Sequence, residues 1–317
     1  MDKFYSYIRE KKFFMEDFYF TVNNGFLNKI INFSFLIKLL INFIIKFFIL
    51  CEVNFKNKFS NQKIFNISKK ENICFIFGNG PSYKKINLKK FKNKETFFVN
   101  SAWKHQDYKY CNPKYHCILD SIMFNPTPDG DVWKNKSTII RKKFLHIQKE
   151  STNINKKIQD GTIILPYPHA YNSQNKFQFY NKKSLKYVKI LSHDMADYIP
   201  KNLTLNSGIP FANNVIPWVI CIALVMNFKK IILLSCEQDM FLGGSHSFDK
   251  ERKISNNKSL SKIAECSNYI GLYNTTKIIK AHINLKNFAK YKKAQIINCT
   301  PDGILDLYRQ DNIKNYH

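Results

Sequence analysis

The sequence predicts an α/β fold: a single Rossmann-like, mostly parallel sheet with a lid or acceptor-side insertion, preceded by an N-terminal amphipathic helical segment. From Glu71 onward, apolar runs of strand length alternate with turn signals and helical stretches, the pattern of a parallel sheet. The first run, Ile73 to Phe77, ends abruptly in Gly78-Asn79-Gly80-Pro81-Ser82. Later, an apolar run from Asn213 to Phe228 feeds directly into Lys230–Ser235, which reads as helix then strand across a short loop. A chain of 317 residues is long enough to bury such a core.

Residues 1–70 read as a membrane-associating helical region, poor in glycine and rich in Phe, Ile, Lys and Asn. Phe26 to Leu50 is long enough to cross a bilayer. Within it Ser34, Lys38, Asn42 and Lys46 recur every four positions, one polar stripe on an otherwise apolar helix. A lysine at the bilayer centre costs about 2.5–3.5 kcal/mol, while each Leu, Ile or Phe returns only about 0.3–0.6 kcal/mol. The stretch is therefore expected to lie in the membrane interface rather than to span, with packing on the protein's own core or on a partner subunit as the alternative.

Residues 71–317 hold the Rossmann-like domain. Its predicted strands are Ile73–Phe77, Thr96–Asn100, Tyr115–Leu119, Thr162–Leu165, Lys230–Ser235 and Ala294–Cys299. The run from Asn213 to Phe228 reads as a buried helix, with Pro217 tolerable only near its first turn. Residues 125–200, punctuated by Pro126, Pro128, Pro166 and Pro168, read as an irregular insertion.

Fifty Lys plus Arg against 23 Asp plus Glu give a net charge of +27, a surface that attracts polyanions: nucleic acid, an anionic membrane or a phosphorylated substrate. A nucleic-acid partner is disfavoured, because no zinc finger, RRM-type aromatic motif or basic heptad arm is present. The eight cysteines form no Cys-x-x-Cys pair, which argues for a reducing compartment and against a zinc site.

Polar residues cluster where the predicted strands end. They are Gly78, Asn79, Gly80 and Ser82; Asn100 and Ser101; Asp120 and Ser121; and Glu237, Gln238 and Asp239. Asn206, Ser207 and Gly208 read as lying just before the buried helix, where free N–H groups favour a phosphate. A parallel sheet gathers all strand carboxyl ends on one rim, so these groups can converge on a nucleotide. The paired glycines would let the backbone approach that ligand closely. Neither Gly-x-Gly-x-x-Gly nor the Gly-Lys-Ser/Thr of a P-loop occurs, so a dinucleotide or NTPase site finds no support.

The Gly78-Asn79-Gly80-Pro81-Ser82 turn, Phe98-Val99-Asn100-Ser101, Asn206-Ser207-Gly208, Phe228 to Leu234 and Ser245-His246-Ser247-Phe248-Asp249 occur in an order that resembles bacterial CMP-sialic-acid-dependent sialyltransferases. They are equally similar to the related hydroxymethylpterin-pyrophosphokinase-like proteins of surface-polysaccharide clusters. The resemblance covers roughly residues 71–305. It implies that Asn79, Ser82 and Asn100 contact a donor nucleotide and that Ser207 and Gly208 hold cytidine or its phosphate. It also implies metal-independent chemistry with no resident cofactor, a CMP-linked acidic sugar as donor, and a glycan or glycolipid as acceptor. Two family tyrosines that neutralise the leaving phosphate correspond in neighbourhood to Phe241 and His246, and of these only His246 can donate a hydrogen bond. The family's general-base histidine follows Tyr-Ile-Gly, whereas Tyr269-Ile270-Gly271 is followed here by Leu272 and Tyr273. His246, Asp239 and Glu237 are the candidate replacements, His246 first because Leu242-Gly243-Gly244-Ser245 ahead of it reads as a lid loop.

The sequence thus points to a sialyltransferase-like glycosyltransferase bound peripherally at the cytoplasmic face of the inner membrane, with self-association into a homo-oligomer also considered. The alternatives are a pyrophosphokinase-like enzyme using ATP and Mg²⁺, a nucleotide-binding relative without turnover, and a basic nucleic-acid-binding protein.

Overall fold

The computed structural model describes residues 72–119, 161–167, 185–238, 267–301 and 305–316, together with Leu40. By contacts the chain divides into two compact units, Met1–Lys63 with Thr127–Ile140 and Ile64–Pro126 with Arg141–His317. Every element below belongs to the second. The expected interfacial helix at 26–50 lies outside the described residues apart from Leu40, which is helical and exposed. Among the described residues no helix is long and apolar enough to cross a membrane.

The second unit is built on a nine-stranded sheet in which every neighbouring pair is parallel. In chain order its strands are β1 (Ile73–Phe77), β2 (Thr96–Val99), β3 (Tyr115–Cys117), β4 (Thr162–Tyr167) and β5 (Leu185–Asp194), then β6 (Ile209–Phe211), β7 (Lys230–Leu234), β8 (Gln295–Asn298) and β9 (Arg309–Gln310). The spatial order is β6-β5-β4-β3-β2-β1-β7-β8-β9. After β1 the chain steps outward on one side as far as β6, then returns to lay β7 against the other side of β1. The order therefore reverses between β1 and β7, the topological switch point of an open α/β sheet.

Short, wholly apolar strands suit a sheet covered on both faces, and alternate residues of β1 and β2 confirm the covering. Cys74, Ile76, Phe97 and Val99 join one core with helices α2 (Val215–Val225) and α3 (Ser267–Tyr291). Phe75, Phe77 and Phe98 join a second core on the other face, beneath the 3-10 turns Pro81–Lys85, Leu88–Phe91 and Asn100–Lys104 and the single-turn helix α1 (Tyr108–Cys111). Phe77 anchors that second core. Its ring stacks on Phe98 with centroids 4.6 Å apart and meets Phe91 edge-on at 5.0 Å. Phe77→Ala is expected to lower stability by about 3–5 kcal/mol in urea unfolding, since neighbours on three elements cannot all collapse into the void. A loss under about 1 kcal/mol would contradict this packing.

Helix α2 is buried everywhere except at its end residues. The Asn214 side chain caps it by accepting from the Ile216 N–H at 2.8 Å, and Pro217 falls in the first turn, where no donor is needed. The segment expected to be an irregular insertion supplies β4 and the ten-residue β5. β4 also runs past Leu165 through Pro166; β3 pairs with β4 no further than Ile164, so Pro166 sits where β5 is the neighbour.

Candidate functional site at the switch point

Two turns meet where the strand order reverses. The first leaves β1 and stays on β7: the Gly78 N–H donates to the Leu234 carbonyl at 2.8 Å and the Gly80 N–H to the Ser235 carbonyl at 3.1 Å. The second leaves β7 with Ser235 and Gln238 both in the left-handed region, at φ 55° and 58°. That conformation is uncommon for residues other than glycine and clusters at functional turns.

The glycines serve this meeting of chain with chain. A Cβ on Gly78 would overlap the Ser235 carbonyl oxygen, and one on Gly80 would overlap the Glu237 carboxylate. The sequence reading assigned their lack of a side chain to close approach of a ligand. The structure corrects that reason: the space they leave is filled by the β7 turn.

Ser82 completes the join, its N–H donating to Glu237 Oε1 at 2.8 Å and its hydroxyl to Ser235 Oγ at 3.0 Å. Glu237 is only 5 % exposed, and its Oε2 is buried without a hydrogen-bond partner. Offered from the sequence as a catalytic carboxylate, Glu237 here braces the β1 turn and presents little surface to a substrate. The brace extends further. Gln238 Nε2 reaches the capping oxygen of Asn214 at 3.4 Å, and the Cys236 N–H donates to Thr300 Oγ1 beyond β8 at 3.0 Å.

The β2 end is tied to the same place. Asn79 Nδ2 donates to the Val99 carbonyl at 3.0 Å, while its Oδ1 is buried with no partner. The Tyr83 hydroxyl donates to the Ala102 carbonyl at 2.9 Å, joining the two 3-10 turns that follow β1 and β2. Asn100 is left-handed, at φ 41°. Its Oδ1 accepts from the Leu119 N–H at 3.3 Å and its carbonyl from His116 Nε2 at 2.8 Å. The Asn100 amide Nδ2 and the Ser101 hydroxyl, both on half-buried residues, meet no protein partner among the described residues.

His116 has no distinguishing context in the sequence, and the structure supplies one. A carbonyl only accepts, so His116 carries its proton on Nε2, and Nδ1 accepts from the Tyr108 hydroxyl at 2.6 Å. Burial holds the imidazole neutral down to about pH 4, opposed in part by the Asn100 carbonyl, and pushes the Tyr108 hydroxyl well up. The available signal was one polar residue in the otherwise apolar short strand β3, directly before a predicted strand end.

Asn79, Ser82, Asn100 and Glu237 are thus brought together around β1, with Ser101 beside Asn100. Asn206, Ser207 and Gly208 are placed differently from the expectation. They precede β6, not the buried helix, in an exposed turn closed on itself. The Ser207 N–H and hydroxyl bond to Thr204, and the Gly208 N–H donates to the Thr204 carbonyl, so the donors expected to meet a phosphate are occupied. Gly208, at φ 103°, lies against the Lys189 carbonyl of β5. Asp120, Ser121, Asp239, Phe241 and His246 lie outside the described residues. Among the described residues no group of three His, Cys, Asp or Glu side chains could hold a metal ion.

No family model and no curated protein matches the chain. Among solved structures, similarity is found to the monofunctional alpha-2,3-sialyltransferase Cst-I from Campylobacter jejuni, at 16 % identity and a TM-score of 0.38, over 78 % of this chain and 82 % of that one. At that TM-score the likeness carries no weight for mechanism, and the α/β class rests on the parallel sheet itself.

Proposed function

We propose that the switch-point cluster binds the nucleotide of a CMP-activated acidic sugar and that the protein transfers this sugar to a glycan or glycolipid. The observation that carries the reading is the coincidence of place: the β1 turn that bears Asn79 and Ser82 is bonded through Ser82 to the β7 turn and through Asn79 to the end of β2, next to Asn100, where an open α/β sheet binds nucleotides. The Asn79 Oδ1, buried with no partner among the described residues, supports it, because a polar group withdrawn from water and unpaired in the protein suits a polar ligand, and the half-buried Asn100 and Ser101 add donors open to one. These groups are neutral, which fits a base and ribose. Transfer also needs a proton acceptor near the acceptor hydroxyl and a donor near the departing phosphate. His246 is our candidate for both needs, with Asp239 as the further carboxylate. The net charge of +27 and the 26–50 stretch would bring the protein to anionic lipid at the cytoplasmic membrane face.

Thermal unfolding of the full chain with CMP, CDP, UDP, GDP and ATP, each with and without Mg²⁺, tests the reading. CMP is expected to raise the melting temperature without Mg²⁺, in line with about 2.7 kcal/mol of stabilisation at a hundredfold excess over Kd. Asn79→Ala should weaken CMP binding about tenfold while the protein still folds. A response confined to ATP with Mg²⁺ would replace the transferase with a pyrophosphokinase-like enzyme, and no response to any nucleotide would remove the site.

A further inference from the structure

We infer that His116 is a positioning residue, fixing Asn100 so that this side chain meets the ligand through its amide N–H donors; this rests on the nucleotide reading of the switch-point site. The backbone of Asn100 is left-handed, a conformation asparagine visits more readily than most L-residues. It is held there by two hydrogen bonds, both from β3 and the residues just after it. The His116 Nε2–H is bonded to the Asn100 carbonyl at 2.8 Å, and the Leu119 N–H to Asn100 Oδ1 at 3.3 Å. The Leu119 bond turns the amide oxygen toward the backbone after β3, and Nδ2 is the end with no protein partner among the described residues. Its two N–H donors call for an acceptor: a ring carbonyl, an unprotonated ring nitrogen, or a phosphate or carboxylate oxygen.

The histidine is itself held in one tautomer. It is completely buried, and Nδ1 accepts from the Tyr108 hydroxyl at 2.6 Å, which leaves the proton on the nitrogen that faces Asn100. Tyr108 is likewise fully buried, in α1. The donors therefore point one way, from Tyr108 to His116 to Asn100, and the outermost member stands at the rim. A partner behind the contacting group that sets its orientation is the same physical device that aligns metal-binding histidines.

Glutamine and asparagine separate the two nitrogens of the ring. In His116→Gln the amide reaches about as far as Nε2 and can still donate to the Asn100 carbonyl, whereas in His116→Asn it stops near Nδ1 and cannot. Calorimetric titration of the full chain with CMP is expected to show His116→Gln within about threefold of wild type and His116→Asn weaker by about tenfold. Tyr108→Phe is expected to lose stability yet keep its affinity within about threefold, because the Asn100 contact survives. If affinity instead follows stability across the three variants, or if His116→Asn binds CMP like wild type, the inference is overturned. The ligand-free wild-type protein gives a second reading by ¹⁵N NMR. An Nε2–H tautomer for His116 and left-handed backbone shifts for Asn100 support the positioning, and an Nδ1–H tautomer overturns it even if no variant folds. Should wild-type protein bind no nucleotide, the functional reading fails, and the positioning of Asn100 stands or falls on these shifts in His116→Asn alone.

Discussion

Gly80→Ala lowers the stability of the fold by about 3 kcal/mol or more, the upper range for overpacking a tight site. The backbone does not explain this, since Gly80 sits at φ −70° and ψ 173°, which alanine adopts freely. The loss comes from one collision. The new methyl would occupy the space of the Glu237 carboxylate, and that carboxylate cannot swing away without leaving the half-buried Ser82 N–H unpaired. A double-mutant cycle isolates the contact. Glu237→Ala alone should cost about 1–3 kcal/mol for the lost bond to Ser82. Adding Gly80→Ala to it should then cost little, a coupling of about 3 kcal/mol in urea unfolding. Additive losses would mean that the two residues do not oppose each other across the seam. Gly78→Ala offers the contrast: its methyl meets the Ser235 backbone, so no side-chain truncation should rescue it.

Acidification from pH 7 to 5 weakens the folded state steeply, with His116 and His282 as the cause. Both side chains are fully buried, and burial holds them neutral down to about pH 4 and about pH 3 respectively, against an ordinary 6.5. His282, on α3, bonds through Nδ1 to the Tyr308 hydroxyl at 2.9 Å, and its Nε2 is buried without a partner. Below pH 6.5 the unfolded chain takes up protons at these sites that the folded chain refuses, so stability falls as pH falls. The contribution is intact above pH 6.5 and is lost progressively toward pH 4 for His116 and pH 3 for His282. Each site can remove about 1.4 kcal/mol per pH unit, so the pair is expected to remove about 2–3 kcal/mol between pH 6 and 5. Urea midpoints at pH 7, 6 and 5 measure the slope, and His282→Leu should reduce it by about half. A midpoint that does not move over this range would show that both histidines are reached by solvent protons.

Much of the sheet was legible because its strands are apolar on both faces. Ile73–Phe77 matches its predicted bounds, and the predicted ends of β2, β3, β7 and β8 differ from the observed ones by one or two residues. β5 was not legible. Lys186 and Lys189 interrupt Leu185–Asp194, and Lys189 is nonetheless buried, so packing across the sheet overrode what composition suggested. The three-residue β6 contains Pro210, which masked it and made the Asn206–Gly208 turn look like the start of α2. At the site, the residue types at the strand ends were readable and the partnerships were not. Sequence spacing could not reveal that Glu237 reaches back 155 positions to Ser82, or that His116 lies behind Asn100. Both facts depend on which strands become neighbours: β7 beside β1, set by the crossover from β6 back to β7, and β3 beside β2.

The two flanks of the sheet share a property. β6 is three residues long with Pro210 at its centre, and β9 is a two-residue strand carrying Arg309. A proline removes a donor from one margin, and a charged, very short strand gives the other almost no ladder to extend. Both borders of the described sheet are therefore blunted, offering an incoming strand little ladder to extend, and the sheet of nine is protected against growth at the edges the fold leaves bare.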